Sequence, residues 1–127
     1  MEIKGIKAIA QQSHEDYLET ILMVSKEKPF VRSIDLAKVL NYSRPSVTIA
    51  LKKLKEDGYI YMDDKNHIFL TEKGKECAER VLYRHEILTK FLIKIGVNEQ
   101  VAKEDACKIE HDISKETLQR LKEFLDK

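Results

Sequence analysis

Apolar residues recur at the period of an α-helix along most of the chain. In the first periodic segment they run from Tyr17 to Val24, with Ser13 as the predicted N-cap and Pro29 as the residue that ends the helix. A shorter helix follows Ser33 in the segment IDLAKVL, whose apolar residues form one face. The pattern therefore predicts two amphipathic helices in quick succession.

A tight turn and a third helix come next. The turn is predicted at Asn41, Tyr42 and Ser43, and Ser43 is the predicted N-cap of the helix that follows. Pro45 lies in the first turn of this helix, where its missing N–H costs nothing. The helix, RPSVTIALKKLKED, has one apolar face and ends at Gly58. A short helix, a tight turn and a second helix with a polar N-terminal end are typical of a helix-turn-helix.

Beyond this helix the period changes to that of β-strands. The runs YIYM and HIFL are separated by the polar residues DDKN, which predicts a β-hairpin. Three more helices follow. The first is capped by Thr71 and ended by Gly96, the second covers NEQVAKEDACKIEHDI from Asn98, and the last begins at Ser114.

The order of elements predicts a mainly α fold with two domains. We expect residues 1–72 to form a winged helix-turn-helix of three helices plus a two-stranded β-hairpin, and residues 73–127 to form an all-α domain. The chain has 127 residues, of which 43% are hydrophobic and 35% charged, as expected for a small soluble protein. No apolar run approaches the ~20 residues that a bilayer span needs. Two cysteines without a signal-peptide core predict reduced thiols in the cytoplasm.

The net charge of +1 conceals an uneven distribution. Residues 28–58 contain seven Lys or Arg and three Asp or Glu, whereas residues 99–127 contain six and eight. The basic segment coincides with the predicted helix-turn-helix, which indicates contact with phosphate. A winged fold used for protein contacts is the alternative.

The second helix of a helix-turn-helix contacts base edges with its N-terminal residues, and basic residues further along contact phosphates. Arg44 is suited to guanine and Ile49 to a thymine methyl group. The predicted DNA contacts are Ser43, Arg44, Pro45, Ser46, Thr48 and Ile49, then Lys52, Lys53 and Lys55, with Lys65 and His67 on the hairpin.

Three places along the chain collect atoms that could bind a metal. Asp16 and Glu19 are three residues apart on the first helix and so point to one face. In the predicted fifth helix, Cys107, Glu110 and His111 have the spacing of one helical face, and His85 lies among apolar residues of the long helix before it. These six residues are the candidate metal ligands.

Each feature also has an ordinary structural explanation. An Asp-x-x-Glu pair is usually a solvated helix face, and a lone His in an apolar helix usually lies at a packing boundary. The Cys-x-x-Glu-His set combines thiolate, carboxylate and imidazole, which suits Fe(II), Mn(II), Co(II), Ni(II) or Zn(II) better than Ca(II) or Mg(II). Cys77 belongs to no motif and is expected to be a buried small hydrophobic residue.

Several segments in order over nearly the whole chain resemble one family. They are HEDYLETI, SRPSVT, LTEKGKE, LYRHEIL and EDACKIEHDIS, and they are similar to the N-terminal two domains of the diphtheria-toxin-repressor family of iron- and manganese-dependent regulators. The resemblance implies a homodimer paired through its last helices, which binds a palindromic DNA operator and represses metal-uptake genes when metal is bound. It makes residues 73–127 a metal-binding and dimerisation domain, and it implies that the SH3-like domain of longer members is missing.

The resemblance also assigns the ligands. Asp16, Cys107, Glu110 and His111 match the main metal site, and Glu19 and His85 match further ligands of the manganese-type members. Cys107 is typical of the iron type, whereas Asp16 and Glu19 are typical of the manganese type. The ancillary site of the iron type is expected to be absent, since Lys103 and Thr89 occupy two of its ligand positions.

Because a thiolate favours Fe(II) over Mn(II), we expect Fe(II) to be the effector, with Mn(II) next and Zn(II), Co(II) or Ni(II) able to bind in vitro. One alternative is a metal-independent winged-helix regulator that senses a small molecule or redox state through Cys107. Another is a di-metal enzyme or storage protein, since paired helices with Glu-x-x-His resemble di-iron bundles. The sequence has no phosphate-binding glycine loop or nucleophile elbow, so we do not expect an enzyme.

Overall fold

The computed structural model describes residues 2–127, and the side chains of residues 14–127. The described elements form two compact units, Met1–Glu79 and Arg80–Lys127. The mainly α fold is confirmed, while the domain boundary predicted after residue 72 stays a prediction. In chain order the elements are α1 (Glu2–Glu27), α2 (Ser33–Leu40), α3 (Arg44–Glu56), β1 (Ile60–Met62), β2 (Ile68–Leu70), α4 (Glu72–Lys94), α5 (Glu99–Ile109) and α6 (Lys115–Leu125).

The turn between α2 and α3 has the features that the sequence predicted. Asn41 adopts a left-handed backbone with φ 57°, which reverses the chain after α2. The Ser43 side chain then accepts a hydrogen bond from the backbone N–H of Ser46 at 3.3 Å, and Pro45 lies in the first turn of α3. The cap and the left-handed residue together fix the angle at which α3 leaves the turn.

The hairpin packs one face against the helices of the first unit. β1 and β2 are antiparallel, with Ile60 opposite Leu70 and Met62 opposite Ile68. Val31, in the loop after α1, forms an additional bridge with Ile68, so the hairpin is attached to the loop as well as to α3. The buried apolar residues of this unit include Leu18, Ile21, Leu36, Val47, Leu51, Leu54, Ile60 and Ile68.

The second unit contains the rest of α4 with α5 and α6. Asn98 caps α5, since its side chain accepts hydrogen bonds from the N–H groups of Gln100 and Val101. Ser114 caps α6 in the same way by accepting from the N–H of Thr117 at 3.1 Å. Buried apolar residues of these helices are Val81, Ile87, Leu88, Ala102, Ala106 and Leu118.

Two helix boundaries differ from the sequence prediction. The first helix begins at Glu2, so Ser13 lies within α1; the Ser13 side chain is outside the described part. The residues before Ser13 include Ala8, Ala10 and Gln11, which favour helix, and no proline interrupts them. The fifth helix was predicted to include Glu110 and His111, but α5 ends at Ile109. Among the described residues, no helix has both the length and the apolar character needed to cross a membrane.

Gly74 lies where the start of α4 meets the backbone just before β1. Thr71 caps α4 by accepting a hydrogen bond from the Gly74 N–H at 3.1 Å, and its own hydroxyl donates to the Gly58 carbonyl at 2.7 Å. A Cβ atom added to Gly74 would collide with the Tyr59 carbonyl oxygen, which is backbone and cannot rotate away. Helix α4 can therefore approach the hairpin this closely only with glycine at position 74.

We expect Gly74→Ala to destabilise the protein by about 1–3 kcal/mol or more, because the methyl group forces α4 and the hairpin apart. Urea unfolding followed by circular dichroism measures the loss. Lys75→Ala, in the same turn but exposed, is the control and should change the free energy of unfolding by less than about 0.5 kcal/mol. Equal stability of the two variants would contradict the close approach.

Candidate metal centre and nucleic-acid interface

The end of α5 brings the predicted ligands of the second unit close together. Cys107 lies in the last turn and is exposed, whereas Glu110 is the C-cap, its N–H bonded to the Ala106 carbonyl at 2.9 Å. His111 follows in the turn beyond the helix. The helix therefore ends within this set, so Cys107 and Glu110 keep their helical spacing and His111 lies in the turn.

His85 of α4 completes this group. Its Nδ1 atom is 2.9 Å from Oε2 of Glu110 and 3.6 Å from Sγ of Cys107. Donor atoms of His85, Cys107 and Glu110 all lie within 4.8 Å of one another. Imidazole, thiolate and carboxylate at this separation form a set suited to a divalent transition metal.

Glu110 is the most unusual member, because it is a carboxylate with only 1% of its surface exposed. Its Oε2 atom faces His85, while Oε1 has no hydrogen-bond partner among the described residues and lies 3.5 Å from Nε2 of His111. A buried carboxylate oxygen without a hydrogen bond is costly unless something else compensates it. This oxygen atom is therefore a candidate metal ligand.

Hydrogen bonds from its neighbours strongly favour the charged form of His85. The contact with Cys107 and then that with Glu110 raise its pKa from 6.5 to about 10, although burial opposes them. These contacts therefore favour the imidazolium form of His85, whose positive charge faces the Glu110 carboxylate.

Arg84, the neighbour of His85, is a residue that the motif analysis missed. Its Nη1 atom donates a hydrogen bond to the Glu110 carbonyl oxygen at 3.3 Å. Carbonyl groups at the end of a helix lack partners within the helix, so a cation from α4 satisfies one here. The available sequence signal was only that Arg84 precedes His85 in LYRHEIL, and it gives no indication of α5.

The other two predicted ligands belong to α1 in the first unit. Asp16 is half-buried, and Glu19 is buried with 7% of its surface exposed. The Asp-x-x-Glu pair is therefore not the solvated helix face that such a spacing usually means. Buried carboxylates need partners, so the burial of Glu19 strengthens the case that it has a specific role.

Apart from His67, the predicted DNA contacts lie at the surface of the first unit. Ile49 is 71% exposed, the highest value among large apolar side chains in the described part of the chain. Arg44 forms no side-chain hydrogen bond or ion pair with the residues that the structure describes, so its guanidinium is available to a ligand. The exposed set is Ser43, Arg44, Pro45, Ser46, Thr48, Ile49, Lys52, Lys53, Lys55 and Lys65.

Some of these side chains already have structural roles. Ser43 caps α3 and its hydroxyl donates to that of Ser46 at 2.8 Å, while the Thr48 hydroxyl donates to the Arg44 carbonyl at 3.0 Å. Lys53 pairs with Asp57 at 3.3 Å. Arg44, Ile49 and the unpaired lysines are therefore better placed than Ser43 to contact DNA directly.

His67 is a correction to the predicted interface. It was expected to contact DNA from the hairpin, but only 5% of its surface is exposed. Its ring stacks on that of Phe30 with centroids 4.1 Å apart, and its Nδ1 atom lies 3.0 Å from Oδ2 of Asp63. The ring is held inward by Phe30 in the loop after α1 and by the Asp63 carboxylate.

Comparison with known proteins shows how the two halves of the chain are related to others. Residues 11–68 match the family model of the iron dependent repressor N-terminal DNA binding domain. Residues 71–127 match that of the iron dependent repressor metal binding and dimerisation domain. An HTH-type transcriptional regulator of Methanocaldococcus jannaschii is 44% identical over 119 residues, which are 91% of this chain and 94% of the relative.

The chain belongs to the diphtheria-toxin-repressor family of metal-dependent regulators. A second member, the HTH-type transcriptional regulator MntR of Geobacillus thermodenitrificans, is 39% identical over 86% of this chain and 77% of its own length. The manganese regulator SloR has a solved structure that superposes with a TM-score of 0.80 at 27% identity, covering 89% of this chain. IdeR of T. acidophilum superposes with 0.79 at 28% identity over the same share. The chain spans about half the length of these two solved chains.

The charge on His85 tests whether the cluster of His85, Cys107 and Glu110 forms in the protein without metal. We expect His85 to remain protonated at pH 7 in chelator-treated protein, because its pKa lies near 10. The raised pKa contributes to the free energy of unfolding. This contribution is fully present below about pH 6.5, the unfolded pKa, and is lost as the pH rises toward about 10, the native pKa. NMR of the imidazole nitrogens measures the titration directly.

Cys107→Ala should move the His85 pKa down toward 6.5, since it removes the largest favourable contact. Cys77→Ala is the matched control, because this second thiol lies in the first unit, and it should leave the titration of His85 unchanged. A wild-type His85 that titrates at its ordinary value would show that the three side chains do not form the observed cluster.

Proposed function

We propose that this protein is a transcriptional repressor that binds a palindromic operator as a homodimer when Fe(II) occupies its metal centre. The observation that carries the proposal is the buried Glu110 carboxylate, grouped with His85 and an exposed Cys107. The family provides the general role, since its matched models describe DNA binding, metal binding and dimerisation. The relatives are named as transcriptional regulators rather than as enzymes.

The proposed ligands are Asp16, Glu19, His85, Cys107, Glu110 and His111. The first two come to this set from the family resemblance, supported by the burial of Glu19. The donor chemistry of the other four supports a transition metal, since thiolate and imidazole are poor ligands for Ca(II) and Mg(II). The exposure of Cys107 leaves one side of the centre accessible, while Glu110 is fixed inside.

The proposal of Fe(II) rests on Cys107. Names among the matches divide between iron, in the family models, and manganese, in the regulator SloR, so names do not decide the metal. A thiolate is a soft ligand and favours Fe(II), whereas the carboxylates suit Mn(II), which we place second. Zn(II), Co(II) and Ni(II) should also bind in vitro.

The proposed ligands suggest how metal binding affects DNA binding. A bound ion would supply positive charge that neutralises the carboxylate ligands, and its bonds would hold the ligands in one arrangement. We propose that residues 1–72 bind DNA and that residues 73–127 bind metal and pair through the last helices. The α3 helices of the two protomers would then populate a spacing of about 34 Å, one turn of DNA.

In this proposal α3 enters the major groove. Arg44 would bond to a guanine and Ile49 would cover a thymine methyl group. Lys52, Lys53, Lys55 and Lys65 would contact phosphates, which contributes affinity without reading sequence. The cap formed by Ser43 supports this arrangement by fixing the N-terminal end of α3.

The first experiment compares metals in anaerobic titrations of DNA binding, using a duplex selected from a random-sequence pool. We expect Fe(II) to activate wild-type protein at a lower free concentration than Mn(II), and Cys107→Glu to reverse that order because it replaces the soft ligand by a carboxylate. By linkage, the duplex should raise metal affinity by the same factor by which metal raises DNA affinity, about 5–150-fold.

Cys77→Ala is the control for the loss of a thiol and should keep the wild-type order of metals. Stronger activation of wild type by Mn(II) would show that the carboxylates set the metal selectivity. The proposal that Fe(II) is the effector would then be wrong. DNA binding that ignores every metal and chelator would remove the metal switch and leave only a DNA-binding protein.

A second experiment separates base reading from phosphate contact within α3. Arg44→Ala should weaken binding by about 1–3 kcal/mol and relax specificity at one position of the selected duplex. Lys52→Ala should weaken binding to all sequences alike and reduce the slope of log affinity against log salt by about 1. Identical behaviour of the two variants would contradict the assignment of Arg44 to a base.

A further inference from the structure

The turn of the hairpin is organised around the side chain of Asp63. Its Oδ1 atom accepts hydrogen bonds from the N–H groups of Lys65, at 2.9 Å, and His67, at 2.8 Å. Its Oδ2 atom lies 3.0 Å from Nδ1 of His67, and the two backbones also bond directly, Asp63 N–H to the His67 carbonyl at 3.2 Å. One carboxylate thus holds both ends of the turn.

His67 fixes this carboxylate from the inner side. The imidazole is buried and stacks on Phe30 with the two rings 11° from parallel, so it cannot rotate freely. Its backbone N–H and its ring both face Asp63. The hairpin turn is therefore anchored to the loop after α1 as well as to its own strands.

The outer side of the turn carries the residues that are free to contact a ligand. Asn66 has a left-handed backbone with φ 63°, and its N–H donates to the Asp63 carbonyl at 3.0 Å. Lys65 and Asn66 are exposed, and the N–H of Lys65 is held by Asp63. The backbone from which the Lys65 ammonium extends is thus fixed.

A carboxylate beside a surface that contacts phosphate should by itself weaken binding, since like charges repel. We propose that Asp63 instead strengthens DNA binding, as a positioning residue that holds Lys65 where its ammonium group contacts a phosphate. This inference rests on the proposed DNA-binding function and adds a residue and a role that the motif analysis did not assign. The opposite signs of the two effects make it testable.

The experiment measures binding of a fluorescein-labelled random-sequence duplex by anisotropy, with Asp63→Ala, Asp63→Asn and Asp64→Ala. Asp64 is the matched control, because it is the adjacent carboxylate and is exposed. We expect Asp63→Ala to weaken binding, Asp64→Ala to leave it unchanged or strengthen it, and Asp63→Asn, which keeps an acceptor oxygen, to recover part of the loss. The deficit of Asp63→Ala should shrink about three- to fourfold between about 50 and 200 mM salt, as for one lost phosphate contact.

Two further measurements show whether the effect passes through Lys65. In a Lys65→Ala background, Asp63→Ala should cause no additional loss of affinity, because the positioned group is gone. Hydrogen exchange should show faster exchange of the Lys65 and His67 amides in Asp63→Ala, with the strand amides unchanged. These exchange data need no DNA, so they test the turn independently of the proposed function.

Asp63→Ala that binds as tightly as Asp64→Ala, or more tightly than wild type, would overturn the positioning role while leaving the proposed function intact. So would an additive effect in the Lys65→Ala background. Wild-type protein without any salt-dependent DNA binding would overturn both the role and the proposed function. In that case the exchange data would still report on the turn itself.

Discussion

The cost of burying the Glu110 carboxylate is the constraint around which the second unit is arranged. Transfer of an isolated charge from water into a protein interior is strongly unfavourable, so the charge must be compensated where it lies. His85 extends from α4 to one carboxylate oxygen, and His111 lies near the other. The Arg84 guanidinium holds the carbonyl of the same residue. These polar contacts join α4 to the end of α5.

The side chains that face Glu110 are also the candidate metal ligands. The imidazolium form of His85 compensates the carboxylate, and the same nitrogen would have to lose its proton to serve as a ligand. Protons and metal ions would therefore compete for one set of atoms.

The sequence predicted the first unit well because its signals are local. Ser43, Pro45 and the polar turn around Asn41 specify the helix-turn-helix through capping and backbone preferences, which act within a few residues. The end of α5 was predicted less well. The segment KIEHDI contains no glycine or proline and continues the apolar spacing, and Arg84, which bonds to the Glu110 carbonyl, is distant in sequence.

The candidate metal ligands and the hairpin illustrate the same distinction between local and long-range signals. Spacing and family resemblance identified His85, Cys107 and Glu110 as candidates. Neither indicated that Glu110 is buried, or that Nδ1 of His85 faces both Cys107 and Glu110. His67 was misassigned because a polar residue in a hairpin is usually solvated, and only the stacking on Phe30 turns it inward. Pairings between distant residues depend on the tertiary structure, which short motifs do not encode.

The exposed side chain of Ile49 gives the free protein a thermodynamic character of its own. A branched apolar group in water orders the solvent around it and raises the heat capacity of the free protein. A surface that covers Ile49 on binding releases this water, which makes the heat-capacity change of association more negative. A thymine methyl group would cover Ile49 and a cytosine would not. The identity of the base at this one position would therefore change the heat capacity of binding, measured by calorimetry, as well as the affinity.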